Sequence, residues 1–179
     1  MDIVLETERL ILRKPVMEDA EEMSRYNERE DFYRYIPIEP PTRDSTKAFV
    51  EKIINQNDSQ DEEEIHFSIV EKITGNFLGH INIFFNDKNL RHIGCGYGIN
   101  PEYWGKGYVT EALKELIDFG FNKLKIKRIC MTSDKRNKAS WRVMEKCGLK
   151  YEGCHRSEGF SRGAYYDRVY YSILDTDLV

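Results

Sequence analysis

Apolar positions along the 179-residue chain switch between a period of two and the helical period, and each switch marks a new element. Leu10, Ile11 and Leu12 ahead of Lys14-Pro15 predict a first strand. Residues 18–26 read as a helix, because Ala20 and Met23 lie three apart and acids crowd the first turn, where the helix dipole favours them. A second helix is expected from an N-cap at Thr42 or Ser45 to about residue 57, burying Ala48, Phe49, Val50 and Ile53. Ile65, Phe67 and Ile69 alternate, Thr74-Gly75-Asn76 turns, and 77–85 returns, which makes a hairpin. A strand over 92–99 follows, then a helix from Gly107 with Ala112, Leu113, Leu116, Ile117, Phe121 and Leu124 on one stripe. A strand at 128–133, a short helix at 139–147 ended by Gly148, and strands at 150–158 and 165–174 complete the chain. The order β-α-α-β-β-β-α-β-α-β-β combines antiparallel hairpins with one central β-α-β, so the class is α/β or α+β with a mixed sheet. The tyrosine-rich last strand reads as core.

Composition narrows what these elements build. With 40% apolar and 32% charged residues, 12 Gly and 5 Pro, the chain carries enough apolar side chains for a core and has no collagen-like, low-complexity or disordered signature. Its length suits one domain over 1–179. The longest apolar stretch, around 81–85, falls far short of the ~20 residues of a membrane span. The acidic N-terminus lacks the basic flank and apolar run of a signal peptide, so a cytoplasmic protein with no membrane partner is expected. Cys95, Cys130, Cys147 and Cys154 contain no C-x-x-C pair and read as reduced thiols, with no metal site.

Net charge is −4, which argues against nucleic acid as a partner, but the two halves differ. Residues 1–90 hold 11 basic against 20 acidic side chains, net −9, and residues 91–179 hold 16 against 11, net +5. Ten basic residues fall within 123–150, against Asp134 and Glu145 alone. The acidic stretch 58–64 and the acidic half suit a cationic partner, and the basic half an anionic ligand.

The chemistry concentrates in Asn100-Pro101-Glu102-Tyr103-Trp104-Gly105-Lys106-Gly107-Tyr108-Val109-Thr110, which leaves a strand, turns on two glycines and enters an amphipathic helix. Glycines allow close backbone approach, and the unpaired first-turn N–H groups sit at the positive end of the dipole, a combination that binds phosphate. G-x-x-x-x-G-K-[ST] is absent, and Gly94-Cys95-Gly96-Tyr97-Gly98 precedes no helix, so those glycines suggest a bulged or closely approached strand.

Taken with Thr7-Glu8-Arg9-Leu10-Ile11-Leu12-Arg13 and Asn137-Lys138-Ala139-Ser140-Trp141-Arg142-Val143-Met144-Glu145-Lys146-Cys147-Gly148-Leu149, this segment resembles the GNAT superfamily of acyl-CoA-dependent N-acetyltransferases, nearest its ribosomal-protein (RimJ/RimL-type) branch. The family's pyrophosphate pattern, Gln/Arg-x-x-Gly-x-Gly/Ala, is met by 102–107 except that Glu102 stands in the first slot. The resemblance implies a mostly antiparallel sheet whose central strands, 92–99 and 128–133, splay to admit the pantetheine of acetyl-CoA. It implies cofactor contacts at Ile99, Asn100, Trp104, Gly105, Lys106, Gly107, Tyr108, Val109, Thr110, Asn137, Ser140 and Lys146, with Lys138 and Arg142 as further candidate phosphate partners.

In such an enzyme a neutral amine attacks the thioester, a donor stabilises the oxyanion and an acid protonates the thiolate. The resemblance places the oxyanion donor at a backbone N–H near Ile99 or Asn100. Many members carry a tyrosine acid where this chain has Met144, which leaves Ser140 as the implied acid. The strand acid of other members is replaced by Gly94, so Glu158 is the implied base, with His92 and His155 as alternatives. Tyr97 and Tyr103 are assigned to the acceptor cleft or the core. The expected acceptor is a protein N-terminus, whose amine, with pKa ~7.7–8.0, is partly neutral without help. A small amine such as a polyamine or aminoglycoside, or a non-catalytic acyl-CoA-binding module, are the other readings, and the protein is expected to be a monomer or homodimer.

Overall fold

A computed structural model describes residues 3–58 and 64–178. Its elements are β1 (Leu5–Glu6), β2 (Leu10–Arg13), α1 (Asp19–Asn27), α2 (Glu30–Tyr33), α3 (Arg43–Asp58), β3 (Glu64–Glu71), β4 (Phe77–Asp87), β5 (His92–Ile99), α4 (Tyr108–Asn122), β6 (Arg128–Asp134), α5 (Lys138–Lys146), β7 (Lys150–Ser161) and β8 (Ala164–Leu174). One eight-stranded sheet runs in the order β1-β2-β3-β4-β5-β6-β8-β7. Every neighbouring pair is antiparallel except β5 and β6. Most of the acidic stretch 58–64, namely 59–63, lies outside the described residues.

The helical stripe of α4 packs as the periodicity requires: Ala112, Leu113, Leu116, Ile117, Phe119 and Phe121 are buried against Ile93, Cys95, Ile99 and Ile129 of the sheet. Burial of each large apolar side chain there stabilises by about 1.5–3 kcal/mol. Leu124 falls after the helix end and is only half-buried.

On the opposite face α1 and α3 bury Ala20, Met23, Tyr26 and Val50 with Phe77. Thr42 is the N-cap of α3, its hydroxyl accepting the Ser45 N–H at 3.2 Å. The buried face of α3 differs from the expectation. Thr46, Val50 and Ile53, spaced i, i+4, i+7, point inward, whereas Ala48 and Phe49 are exposed. Phe49 instead lies edge-on to the rings of His66 and His80, covering both. Burial pushes His80 down to about 4, so it is neutral at physiological pH.

Two short elements, β1 and α2, add to the expected set, and β7 runs three residues longer. The last strand is unevenly buried: Tyr166 and Tyr171, on opposite faces, are buried, Tyr170 is half-buried and Tyr165 is 69% exposed, so it is only partly core. The described cysteines are all free thiols, Cys95 and Cys147 buried and Cys130 and Cys154 half-buried. No helix among the described residues is long and apolar enough to cross a membrane.

Candidate active site

Two parallel strands meet and then part. β5 and β6 share three residue pairs, His92–Arg128, Ile93–Ile129 and Gly94–Cys130, after which no pair joins them. From Cys95 to Ile99 on one side and Met131 to Asp134 on the other, the sheet is open. His92 sits at the joined end, about 23 Å along the strand from Ile99, which removes it from the mouth of the gap.

Alternation along β5 sends Gly94, Gly96 and Gly98 to one face and Cys95, Tyr97 and Ile99 to the other. The glycine face explains the G-x-G-x-G spacing. A Cβ at Gly94 would lie 2.2 Å from the Phe84 ring, one at Gly96 2.8 Å from Asn82 and one at Gly98 2.8 Å from His80. Close approach by β4 side chains is therefore the cause, and no bulge interrupts β5 at these glycines; the irregularity lies between Phe85 and Asp87 on β4.

The Asn100 N–H donates to the Leu78 carbonyl at 2.8 Å, and N–H directions alternate along an antiparallel ladder. The amides of Tyr97 and Ile99 consequently face the gap, beyond the last ladder pair Gly94–Cys130, while that of Asn100 is already engaged. Of the two expected oxyanion donors only Ile99 is open. Asn100 acts locally, its side chain accepting the Glu102 N–H at 3.1 Å. The Trp104 indole N–H donates to the Ile99 carbonyl at 3.0 Å and fastens the strand end.

Gly105 and Gly107 adopt φ of +74° and +83°, a left-handed conformation that glycine takes without strain. The N–H groups of 105–110 donate to no group among the described residues. Lys106 Nζ lies 5.0 Å over the Tyr103 ring. The side chain of Tyr108 is structural, its hydroxyl donating to Glu71 at 2.5 Å, and so is that of buried Val109. Their backbone amides, with that of Thr110, form the open first turn of α4.

This loop is clamped by the N-terminal segment. Glu111 accepts hydrogen bonds from the Thr7 hydroxyl at 2.6 Å, the Arg9 N–H at 2.8 Å and Arg9 Nε at 2.7 Å. Arg9 also donates to the Lys106 carbonyl at 3.1 Å and lies 4.4 Å over the Tyr108 ring. The Thr7-Glu8-Arg9 signature thus fixes the loop to which it is remote in sequence.

α5 spans from the gap to this loop. At its start, Asn137 Oδ1 caps the Ser140 N–H at 3.2 Å. The Tyr97 hydroxyl meets Ser140 Oγ at 2.9 Å, with either oxygen able to donate, and donates to the Ser140 carbonyl at 3.1 Å. Burial pushes Tyr97 up to about 12, although its bond to Ser140 opposes the shift. At the other end, the Cys147 thiol donates to the Thr110 carbonyl at 3.5 Å, which brings the C-terminal end of α5 to the first turn of α4, and Lys146 is exposed there. Met144 is buried at 1% exposure and takes no part in the cleft.

The basic block is less uniform than its count suggested. Lys127, Arg128, Lys135, Arg136 and Lys150 pair with Asp175, Glu152, Asp167, Asp134 and Asp177 respectively. Lys138, Arg142 and Lys146 have no carboxylate partner among the described residues.

Glu158 lies in a bulge of β7, where three residues, 156–158, stand opposite Asp167 alone. The bulge breaks the period of two and turns Glu158 toward Tyr170, whose hydroxyl donates to it at 2.5 Å, Arg168 at 3.1 Å and His155 at 2.9 Å. Tyr171, the neighbour of Tyr170, instead bonds Glu145 of α5, so Glu158 and Ser140 lie on opposite faces of the sheet, and Glu158, on the edge strand, is separated from the gap by β8 and β6. His155, the other alternative base, is engaged by Glu158 and stacks at 4.4 Å on Tyr170. Sequence reasoning missed the Tyr97–Ser140 contact, because its two residues are 43 positions apart.

Residues 9–150 match the family model "Acetyltransferase (GNAT) domain". The chain is 31% identical to an N-acetyltransferase, p20, of Bacillus licheniformis over 95% of both sequences. It is 34% identical to Bacillus subtilis YdaF, whose name assigns it provisionally to ribosomal N-acetylation, over 56% of this chain and 55% of that one. The crystal structure of a GNAT-family acetyltransferase from Bacillus anthracis superposes with a TM-score of 0.88 at 29% identity, covering 97% of this chain and 99% of that one. Parted parallel strands, six open amides on a glycine turn and an end-to-end match lead to one assignment: the chain belongs to the GNAT family of acetyl-CoA-dependent N-acetyltransferases.

Proposed function

We propose that the protein acetylates an α-amino group, that of a protein N-terminus such as a ribosomal protein's, by direct attack within a ternary complex. The observation that carries this reading is the Tyr97–Ser140 hydroxyl pair, set where β5 and β6 part. The partial likeness to YdaF supports the acceptor.

Acetyl-CoA supplies the acyl group as an activated thioester. The residues present fit it: the amides of 105–110 and the side chains of Lys106 and Lys146 would hold the phosphates, and the open edge of β5 the pantetheine, with Asn137 beside it. The Ile99 N–H is the oxyanion donor, because it faces the gap. Ser140 Oγ gives its proton to the departing thiolate, and the Tyr97 hydroxyl, whose pKa is raised, holds that oxygen and keeps its own proton. Glu158 takes, through water, the proton released by the amine, and solvent returns a proton to Ser140 as the products leave.

A thiol-release assay with acetyl-CoA and an N-terminal peptide panel tests this. Ser140→Ala is expected to lower kcat by about 100-fold. Unchanged turnover removes Ser140 as the acid, and release of thiol with small amines only removes the protein acceptor.

A further inference from the structure

On the Glu158 face, a cavity of about 120 Å³ is lined by Arg34, Tyr35, Asp134, Arg136, Ser161, Arg162, Ala164 and Tyr166. It gathers three separate stretches: the segment after α2, the end of β6 with the turn into α5, and the β7–β8 hairpin. Three arginines and one carboxylate line it. Asp134 is buried and fully occupied by Arg136, which reaches it through its backbone N–H at 2.8 Å, Nε at 3.1 Å and Nη2 at 2.6 Å. Arg34 and Arg162 have no carboxylate partner among the described residues, which leaves the cavity with two unbalanced positive charges.

A chain of contacts ties this cavity to the proposed base. Tyr166, in its wall, accepts a hydrogen bond from Arg168 Nη2 at 2.9 Å, and Arg168 pairs with Glu158 at 3.1 Å. The cavity also lies at the Asn137 end of α5, while the open amides of 105–110 lie at the Cys147 end, about 13 Å away along nine residues of helix. The arginines are therefore placed for the acceptor and not for the phosphates of coenzyme A. The volume is well below the ~300 Å³ at which whole-ligand pockets begin, so the cavity suits one small group of a larger molecule.

We infer that this cavity is an anion subsite, which receives a carboxylate carried by the amine acceptor. The inference rests on the acetyltransferase reading above and deepens it: the preferred acceptor is an amine bearing a negative charge, and polyamines and aminoglycosides are disfavoured by charge. The carboxylate has two sources, an acidic side chain next to a peptide N-terminus or the α-carboxylate of a free amino acid. Arg34 and Arg162 are specificity residues that bond it in the planar, two-pronged manner of guanidinium groups.

Matched acceptors test this with wild type and with the double variant Arg34→Gln, Arg162→Gln: Ser-Asp-Ala-Ala-Ala amide against Ser-Asn-Ala-Ala-Ala amide, and free serine against serinamide. Wild type is expected to favour the carboxylate member of one pair by at least tenfold in kcat/KM, and that pair identifies the source. In the double variant the ratio falls to within about twofold of one. Equal use of both members of each pair by wild type, or a preference that survives in the double variant, overturns the inference. Weakened coenzyme A binding with the acceptor preference intact assigns the arginines to the donor and also overturns it. Should no α-amine release thiol, the acetyl-acceptor reading fails separately, and calorimetric titration of succinate into the coenzyme A complex decides the subsite. Binding that weakens at least tenfold in the double variant supports it; equal or no binding in wild type and variant overturns it.

Discussion

Tyr97 alternates onto the same face of β5 as Cys95 and Ile99, yet it is the member of that row with a polar tip, and the tip meets Ser140. A buried phenol with a raised pKa stays protonated throughout the physiological range, so it supplies a donor without adding a charge to the gap. Tyr97→Phe keeps the ring and removes the hydroxyl, and is expected to reduce kcat at least tenfold with the KM for acetyl-CoA within about twofold. The sign of the pH effect follows from the direction of the shift. A phenol at about 12 loses its proton only above the working range, so wild-type kcat shows no alkaline decline from this group below about pH 10. Steady-state rates between pH 6 and 10 check both statements, and a decline near pH 9 that disappears in Tyr97→Phe contradicts them.

At the scale of elements, the N-terminal turn and the first turn of α4 act as one unit through Glu111. Burial opposes ionisation of Glu111, but the Thr7 hydroxyl and the Arg9 amide and guanidinium together hold it below the usual carboxylate range. Glu111→Gln weakens these bonds and loosens the loop. Initial rates against acetyl-CoA concentration are expected to show KM raised about tenfold with a smaller change in kcat, and unchanged KM would mean that the loop holds its shape unaided. Most long elements were legible because their periodicity persists over eight or more residues, as in β5 and α4. β1 and α2, with two and four residues, are too short for any period to register. Ala48 and Phe49 were misassigned because a helix face depends on what packs against it, and here the neighbours select Thr46, Val50 and Ile53. In the site, the loop glycines, Asn137 and Ser140 stand in contiguous segments and could be read. Arg9–Glu111, Tyr97–Ser140 and the Arg34–Arg136–Arg162 cavity join residues from distant segments, and only the sheet order brings them together.

Across the whole molecule, the basic block of 123–150 does not form one free positive patch. Half of the ten basic residues in 123–150 are neutralised by acids of β6, β7, β8 and the C-terminal turn, and the arginines of the proposed anion subsite come from both halves of the sequence. Charge sorted by sequence position and charge sorted by location are different quantities, because β8 threads between β6 and β7. The three residue pairs between β5 and β6 have a mechanical meaning as well. They are a short seam joining a five-strand sheet to a three-strand one, and a strand-like ligand laid into the opening stitches the two together. Deuterium should enter the amides of Tyr97 and Ile99 rapidly in the free protein, and much more slowly once coenzyme A is bound, while those of β3 and β4 exchange slowly in both states. The acyl donor would in that sense serve as a ninth strand of the sheet.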